Sequence, residues 1–143
     1  MLVSPARAGV KRAIILVVGG LALGSCDEGL LGPTEVRDVT WKLESIERAG
    51  APTILVPNPE RYTLRLEADG RLSVRADCNS CVGTYALSGT SLSIGLLACT
   101  RAFCGDSSLD TAYTGALGNA QTAVAAPNQL VIKGNGFTLR FRN

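Results

Sequence analysis

Beyond residue 38 the chain alternates apolar and polar residues in short runs broken by turn residues. In the run Val39 to Ile46, Val39, Trp41 and Leu43 share one face, and the run ends at Ala49-Gly50-Ala51-Pro52. Tyr62-Thr63-Leu64-Arg65-Leu66 alternates again, and Asp69-Gly70 is a hairpin signal leading into Leu72-Ser73-Val74. Thr84-Tyr85-Ala86-Leu87 and Ser91-Leu92-Ser93-Ile94 flank a turn at Ser88-Gly89-Thr90. Gln129 to Ile132 and Phe137 to Phe141 flank Lys133-Gly134-Asn135-Gly136. One segment has helical spacing. In Ser107 to Leu117, Leu109, Tyr113, Ala116 and Leu117 fall on one side, with Ser107 or Asp106 as the expected cap and Gly118 as the stop. Short strands with frequent turns and a single helix predict a mainly β fold. The expected architecture is a small antiparallel β-barrel or sandwich carrying one short α-helix.

The first 25 residues follow a different pattern. Arg7, Lys11 and Arg12 precede the apolar run Ala13 to Leu23, the layout of a secretory signal. That run is too short to cross a hydrocarbon core of roughly 30 Å, which takes about 20 helical residues. Leu23-Gly24-Ser25-Cys26 resembles a bacterial lipobox, in which the cysteine sulfur receives a diacylglycerol and becomes the new N-terminus. The resemblance implies a signal peptide over residues 1–25 and a lipidated Cys26. It places the mature chain in the bacterial cell envelope, membrane-anchored and facing the periplasm or the exterior. Asp27 resembles an inner-membrane retention signal of some diderm bacteria. Residues 26–37, rich in glycine, proline and acids, read as a tether, and residues 38–143 as the folded domain, whose first ordered residue is expected near Val36 or Val39.

Cleavage changes the charge balance. The full chain has 14 basic and 12 acidic side chains, and the three basic residues of the signal leave with it. The mature part is then close to neutral, which offers no electrostatic footprint for nucleic acid. Membrane contact is expected through the lipid anchor, each buried methylene contributing roughly 0.8 kcal/mol. The remaining length suits one domain with one core, expected to be a monomer.

The block Asp77-Cys78-Asn79-Ser80-Cys81, followed by Cys99-Thr100-Arg101-Ala102-Phe103-Cys104, approaches a zinc-ribbon spacing. The second pair is wider than that spacing wants, and an exported chain meets an oxidising compartment. A redox Cys-x-x-Cys would want a βαβ setting, which the pattern lacks. Lipidation of Cys26 leaves an even four cysteines, as disulfides require. Residues facing each other across an antiparallel hairpin have positions of constant sum. With the turn at Ser88 to Thr90, the nested pairs Cys78–Cys104 and Cys81–Cys99 fit that rule better than a crossed pairing. Two such bridges are the expectation, the longer one contributing roughly 3–4 kcal/mol.

Trp41-Lys42-Leu43-Glu44-Ser45-Ile46, Tyr62 to Gly70, Asp77-Cys78-Asn79 and Gly83-Thr84-Tyr85 together resemble the META domain family, to which the heat-shock envelope protein HslJ belongs. Leu92, Ile94, Leu97-Ala98, Thr100, Cys104 and Leu117 continue the pattern over roughly Val39 to Phe141. The resemblance implies a compact antiparallel β-fold with a short helix, in an envelope protein of poorly defined biochemical role, for which envelope stress resistance is the expectation. Members often carry cysteines at the positions of Cys78 and Cys104. Within the motif, Asn79 is expected in an Asx-turn or a left-handed conformation. Gly83 is expected at a close backbone approach, and Trp41 and Tyr85 in the core. Arg101, between two bridged cysteines, and Asp77 are the candidate partner-binding residues.

The chain has no histidine, which excludes Ser-His-Asp and Cys-His catalysis. No Gly-rich phosphate loop occurs. The expected function is non-enzymatic binding of an unidentified envelope protein or ligand, without cofactor or metal. The alternative is a thiol-redox or metal-binding module using Cys78 and Cys81.

Overall fold

The structure, a computed structural model, describes residues 36–143. Cys26, the expected signal peptide and the tether up to residue 35 lie outside the described residues. Ten strands follow in order: β1 (Thr40–Arg48), β2 (Ile54–Leu55), β3 (Tyr62–Leu66), β4 (Arg71–Ala76), β5 (Asn79–Ser88), β6 (Ser91–Ile94), β7 (Ala98–Cys99), β8 (Ala120–Ala126), β9 (Gln129–Gly134) and β10 (Phe137–Arg142). Helix α1 (Asp110–Leu117) sits between β7 and β8. Taken as β1-β3-β4-β5-β6-β8-β9-β10, the long strands form an antiparallel barrel that closes where β10 pairs with β1. Strands β2 and β7 are two-residue additions alongside β1 and β5.

The alternation that predicts the strands also fills the barrel. Tyr62, Leu64 and Leu66 of β3 point inward beside Leu72, Val74 and Ala76 of β4. Leu130 and Ile132 of β9 meet Leu139 and Phe141 of β10 in the same way. A strand with one buried face specifies its register, because a one-residue slip would turn every apolar side chain outward. Trp41 is buried as expected and donates its indole Nε1–H to the Val36 carbonyl at 3.0 Å. Val36 is itself buried, and Arg37 bridges to Leu66. Among the described residues, packing thus begins with Val36.

Two elements depart from the sequence pattern. Strand β8 was not legible as a strand: Ala-Gln-Thr-Ala-Val-Ala-Ala is poor in β-forming residues. A bulge between Ala120 and Thr122 also breaks its period, so the inward positions are Ala120, Ala123 and Ala125. The helix begins at Asp110, not beside Ser107 or Asp106. No side chain caps it in the usual manner, although Ser108 Oγ accepts a hydrogen bond from the Asp110 N–H at 3.3 Å.

The strand registers give the barrel two different ends. Val36, the β3–β4 and β5–β6 turns and Arg142 gather at one end. At the other lie the Asp77-Cys78 turn, the segment Thr100 to Gly105, α1 and the Asn135-Gly136 turn. The wall is also uneven. Strands β6 and β8 share a single register pair, Ser91↔Thr122, supported by the Ala123 N–H donating to Thr90 O at 2.9 Å. Beyond that pair α1 covers the opening. Its Tyr113 and Leu117 are fully buried, and the Tyr113 ring stands edge-on to Tyr62 at 6.1 Å and tilted against Phe141.

Candidate functional site: the cysteine loop and its groove

β4 turns into β5 through Asp77 and Cys78. Asp77 takes the left-handed conformation, φ +61°, which a short polar side chain tolerates better than a bulky one. Its carboxylate is turned inward and only 5 % exposed. The Arg61 guanidinium pairs with Oδ1, and the Tyr62 hydroxyl donates to Oδ2 at 3.1 Å. The Asp77 N–H donates to Arg61 O at 2.7 Å, and its own carbonyl accepts from Arg75 Nε at 3.2 Å. The Tyr62 hydroxyl oxygen also accepts the Leu109 N–H at 3.0 Å, tying this turn to the start of α1. Asp77 is therefore held inside the domain by Arg61 and Tyr62 and is not a surface contact for a partner. That corrects its place among the binding residues.

Asn79 is neither in an Asx-turn nor left-handed; it is the first residue of β5. Its buried amide fastens the cysteine loop to the sheet. Oδ1 accepts from the Ala102 N–H at 2.8 Å and from the Thr100 hydroxyl at 3.1 Å. Nδ2 lies 3.0 Å from Ala102 O, 3.3 Å from Cys104 Sγ and 3.1 Å from Asp110 Oδ2. One side chain thus joins β5, the Thr100–Cys104 loop and the first residue of α1. Removing it would cut several part-buried hydrogen bonds at once, so the loss falls on the whole network rather than on one pair.

Two disulfides complete the attachment. Cys78 is bonded to Cys104 with Cα atoms 5.6 Å apart, and Cys81 to Cys99 with Cα atoms 4.0 Å apart. Cys81 and Cys99 are direct partners in the β5–β7 ladder. Between the β5–β6 and β5–β7 ladders the constant sum slips by one residue, as Tyr85↔Ile94 and Cys81↔Cys99 reveal. The slip falls beside Gly83, where a Cβ would stand 3.0 Å from Leu97 Cδ2 and 3.1 Å from Leu96 O. A side chain there would press on both neighbours by a few tenths of an ångström, which favours glycine where the chain passes that closely. Because Cys78 and Cys81 belong to different bonds, they form no Cys-x-x-Cys dithiol, and none of the four offers a thiolate to zinc.

Between the loop and α1 lies a cleft of about 340 Å³, lined by Asn79, Thr100, Arg101, Phe103, Thr111 and Thr114 among others. A shallower trough of about 490 Å³, lined by Ile94, Leu96, Leu97 and Gly115, continues on the other side of Arg101. Arg101 and Thr114 border both. Arg101 is exposed, and among the described residues no carboxylate pairs with it. Two large apolar side chains stand out beside it, Leu96 at 95 % and Phe103 at 84 % exposure. Leu96 and Phe103 were not singled out from sequence, although both interrupt the alternation in turn-like surroundings. Tyr113 is fully buried beside the cleft, and its hydroxyl lacks a hydrogen-bond partner. Burial pushes its pKa well above the usual tyrosine value of about 10. The arrangement offers a cation flanked by apolar surface.

The META domain family model matches residues 34–143, and the chain belongs to that family. Its structure is similar to the NMR structure of a protein from Burkholderia xenovorans, with a TM-score of 0.64 and 30% identity over 76% of this chain and 83% of that one. A further NMR structure is similar at 25% identity and a TM-score of 0.57, over 77% of this chain and 92% of the other. The crystal structure of a DUF4847 family protein from Bacteroides vulgatus shares the fold, with a TM-score of 0.57 at 14% identity over 76% of this chain and 94% of that one. No curated protein matches the chain.

Proposed function

We propose that this is a non-enzymatic envelope lipoprotein whose META domain acts by binding, in the service of envelope stress resistance. The observation that carries this reading is the exposed, unpaired Arg101 between Leu96 and Phe103, on a loop fixed by two disulfides and Asn79. A preorganised loop binds without a large ordering cost. A cation beside apolar knobs suits an envelope protein that presents a carboxylate among apolar side chains. The anchor on Cys26 fits the same picture, because the chain enters the domain at Val36, at the barrel end opposite Arg101. The loop would then face away from the membrane. Two disulfides suit an oxidising compartment.

The anchor is tested by intact mass and detergent partitioning. The mature wild-type protein is expected to carry acyl mass, and Cys26→Ser to leave the membrane fraction; a mature protein without acyl mass would refute the lipoprotein reading. The binding surface is tested by crosslinking the anchored protein in its own envelope. Arg101→Glu is expected to abolish a specific adduct while leaving the melting temperature unchanged. An adduct that survives both Arg101→Glu and Leu96→Ser would move the binding surface elsewhere.

A further inference from the structure

The two disulfides differ in how they present themselves to an external thiol. Cys78 is exposed and Cys104 half-buried, whereas Cys81 is only 1 % exposed and pairs within the β5–β7 ladder with Cys99, itself half-buried. The two sulfurs of the outer bond also differ. Cys104 Sγ lies 3.3 Å from the Cys78 N–H and 3.3 Å from Asn79 Nδ2, both donors. Among the described residues no N–H donor is directed at Cys78 Sγ. Hydrogen bonds to a sulfur favour its thiolate over its thiol. In thiol–disulfide exchange the sulfur with the more stable thiolate leaves faster.

We propose that Cys78–Cys104 is a thiol–disulfide exchange site for an envelope dithiol oxidoreductase, attacked at Cys78 Sγ with Cys104 as leaving group. The incoming thiolate forms a bond to Cys78 Sγ, and the electron pair of the old bond passes to Cys104 Sγ. The second thiol of the oxidoreductase loses its proton and attacks its own partner sulfur in the mixed disulfide, releasing Cys78 as a thiolate that takes up a proton. Two electrons and two protons pass in total. The oxidoreductase dithiol becomes a disulfide, and Cys78 and Cys104 become thiols. The Cys81–Cys99 bond and the Asn79 hydrogen bonds to Ala102 and Thr100 hold the base of the loop throughout. Exchange therefore loosens the tip that carries Phe103 without releasing the loop from the sheet. The site stands whatever the Arg101 groove binds.

The test uses the full-length wild-type protein in detergent micelles with a Cys-x-x-Ser variant of a thioredoxin, which cannot resolve a mixed disulfide. Mass mapping is expected to find the adduct on Cys78. Limited dithiothreitol should release the Cys78 and Cys104 thiols at least about tenfold faster than the Cys81 and Cys99 thiols. An adduct on Cys104, Cys81 or Cys99, the absence of any adduct, or simultaneous release of all four thiols would overturn the proposal. In Cys78→Ser, the freed Cys104 is expected to react with iodoacetamide with an apparent pKa below the ordinary cysteine value of about 8.5. A value at or above it would remove the basis for Cys104 as leaving group. Should that variant fail to fold, the adduct mapping on the wild type decides alone.

Discussion

Where β10 meets β1, register pairs run from Lys42↔Arg142 to Arg48↔Phe137, and buried Leu43, Ile46, Leu139 and Phe141 back them. Where β6 meets β8 there is one pair, Ser91↔Thr122, followed by a gap that a helix and a cross-linked loop cover. Both close the same barrel. The wall is held by repeated main-chain hydrogen bonds and by alternation, with ion pairs such as Arg140–Glu47 on its outer face. The seam has little ladder to rely on, and covalent bonds, Asn79 and the buried face of α1 replace it. The difference separates two tasks. The wall maintains the fold, while the seam, freed from strand pairing, exposes Arg101, Leu96 and Phe103 to solvent. Binding groups commonly sit on loops that a rigid scaffold positions.

The largest effect is expected from cutting the outer staple of the seam. Cys78→Ser with Cys104→Ser should cost about 2–5 kcal/mol and lower the melting temperature by several degrees or more. The domain should remain folded, because the wall and the second bridge persist. A double variant that melts like wild type would show that the seam does not depend on this bond. Asn79→Ala should cost about 1–3 kcal/mol by stranding the groups it joins. Hydrogen exchange should rise at Ala102 and Asp110 and stay unchanged in β9 and β10. Equal loss of protection in both regions would erase the distinction between seam and wall.

Gly134→Ala is the matching test on the wall. A Cβ there would run into the Phe137 ring and the Asn119 carbonyl, so the change should cost about 1–3 kcal/mol by denaturant titration. Gly115→Ala, in the helix over the seam, meets nothing within 4 Å. It should raise stability by about 0.5–1 kcal/mol through helix propensity alone.

The smallest effect near neutral pH belongs to Tyr113→Phe, which removes a hydroxyl without a partner and should shift stability by less than about 1 kcal/mol. Its pH dependence is more telling. Burial raises the tyrosine pKa in the folded state, so the unfolded chain ionises first. Stability from this group is complete below about pH 10 and is lost as pH rises towards the folded value. Melts at pH 7 and pH 10.5 should therefore favour the phenylalanine variant more at the higher pH. An unchanged difference would mean that the hydroxyl reaches water.

The wall was readable in the sequence because burial on one face imposes a period of two, and Tyr62 to Leu66 or Phe137 to Phe141 keep it. The nesting of the disulfides was readable for a related reason, since a hairpin fixes which residues face each other. Strand β8 was not, because alanines carry little hydrophobic contrast and a bulge shifts their phase. The sequence points to local turn chemistry for Asn79 and to a partner contact for Asp77, and the fold gives both a different role. What fixes them is distant in sequence: Arg61 and Tyr62 for one, Thr100, Ala102 and Asp110 for the other. Nothing in the neighbourhood of either residue reveals such partners. The binding reading rests on Arg101, which sequence did single out, and on Leu96 and Phe103, whose exposure only the folded chain discloses.

The single pair joining β6 to β8 has a consequence for how such a protein can change. From Gly95 to Asn119 the chain contributes only the short β7 to the barrel sheet, and it leaves and rejoins the wall at neighbouring strands. That stretch contains Leu96, Arg101, Phe103 and all of α1. It is an insert whose fittings on the barrel are local: Cys78, Asn79, Cys81 and the glycine at position 83 hold the loop, and Tyr62 and Phe141 receive the buried face of α1. Side chains pointing outward from it can be rewritten without touching the register of the eight strands. A chain built this way can acquire a new partner by local sequence drift, at almost no risk to the scaffold that carries it.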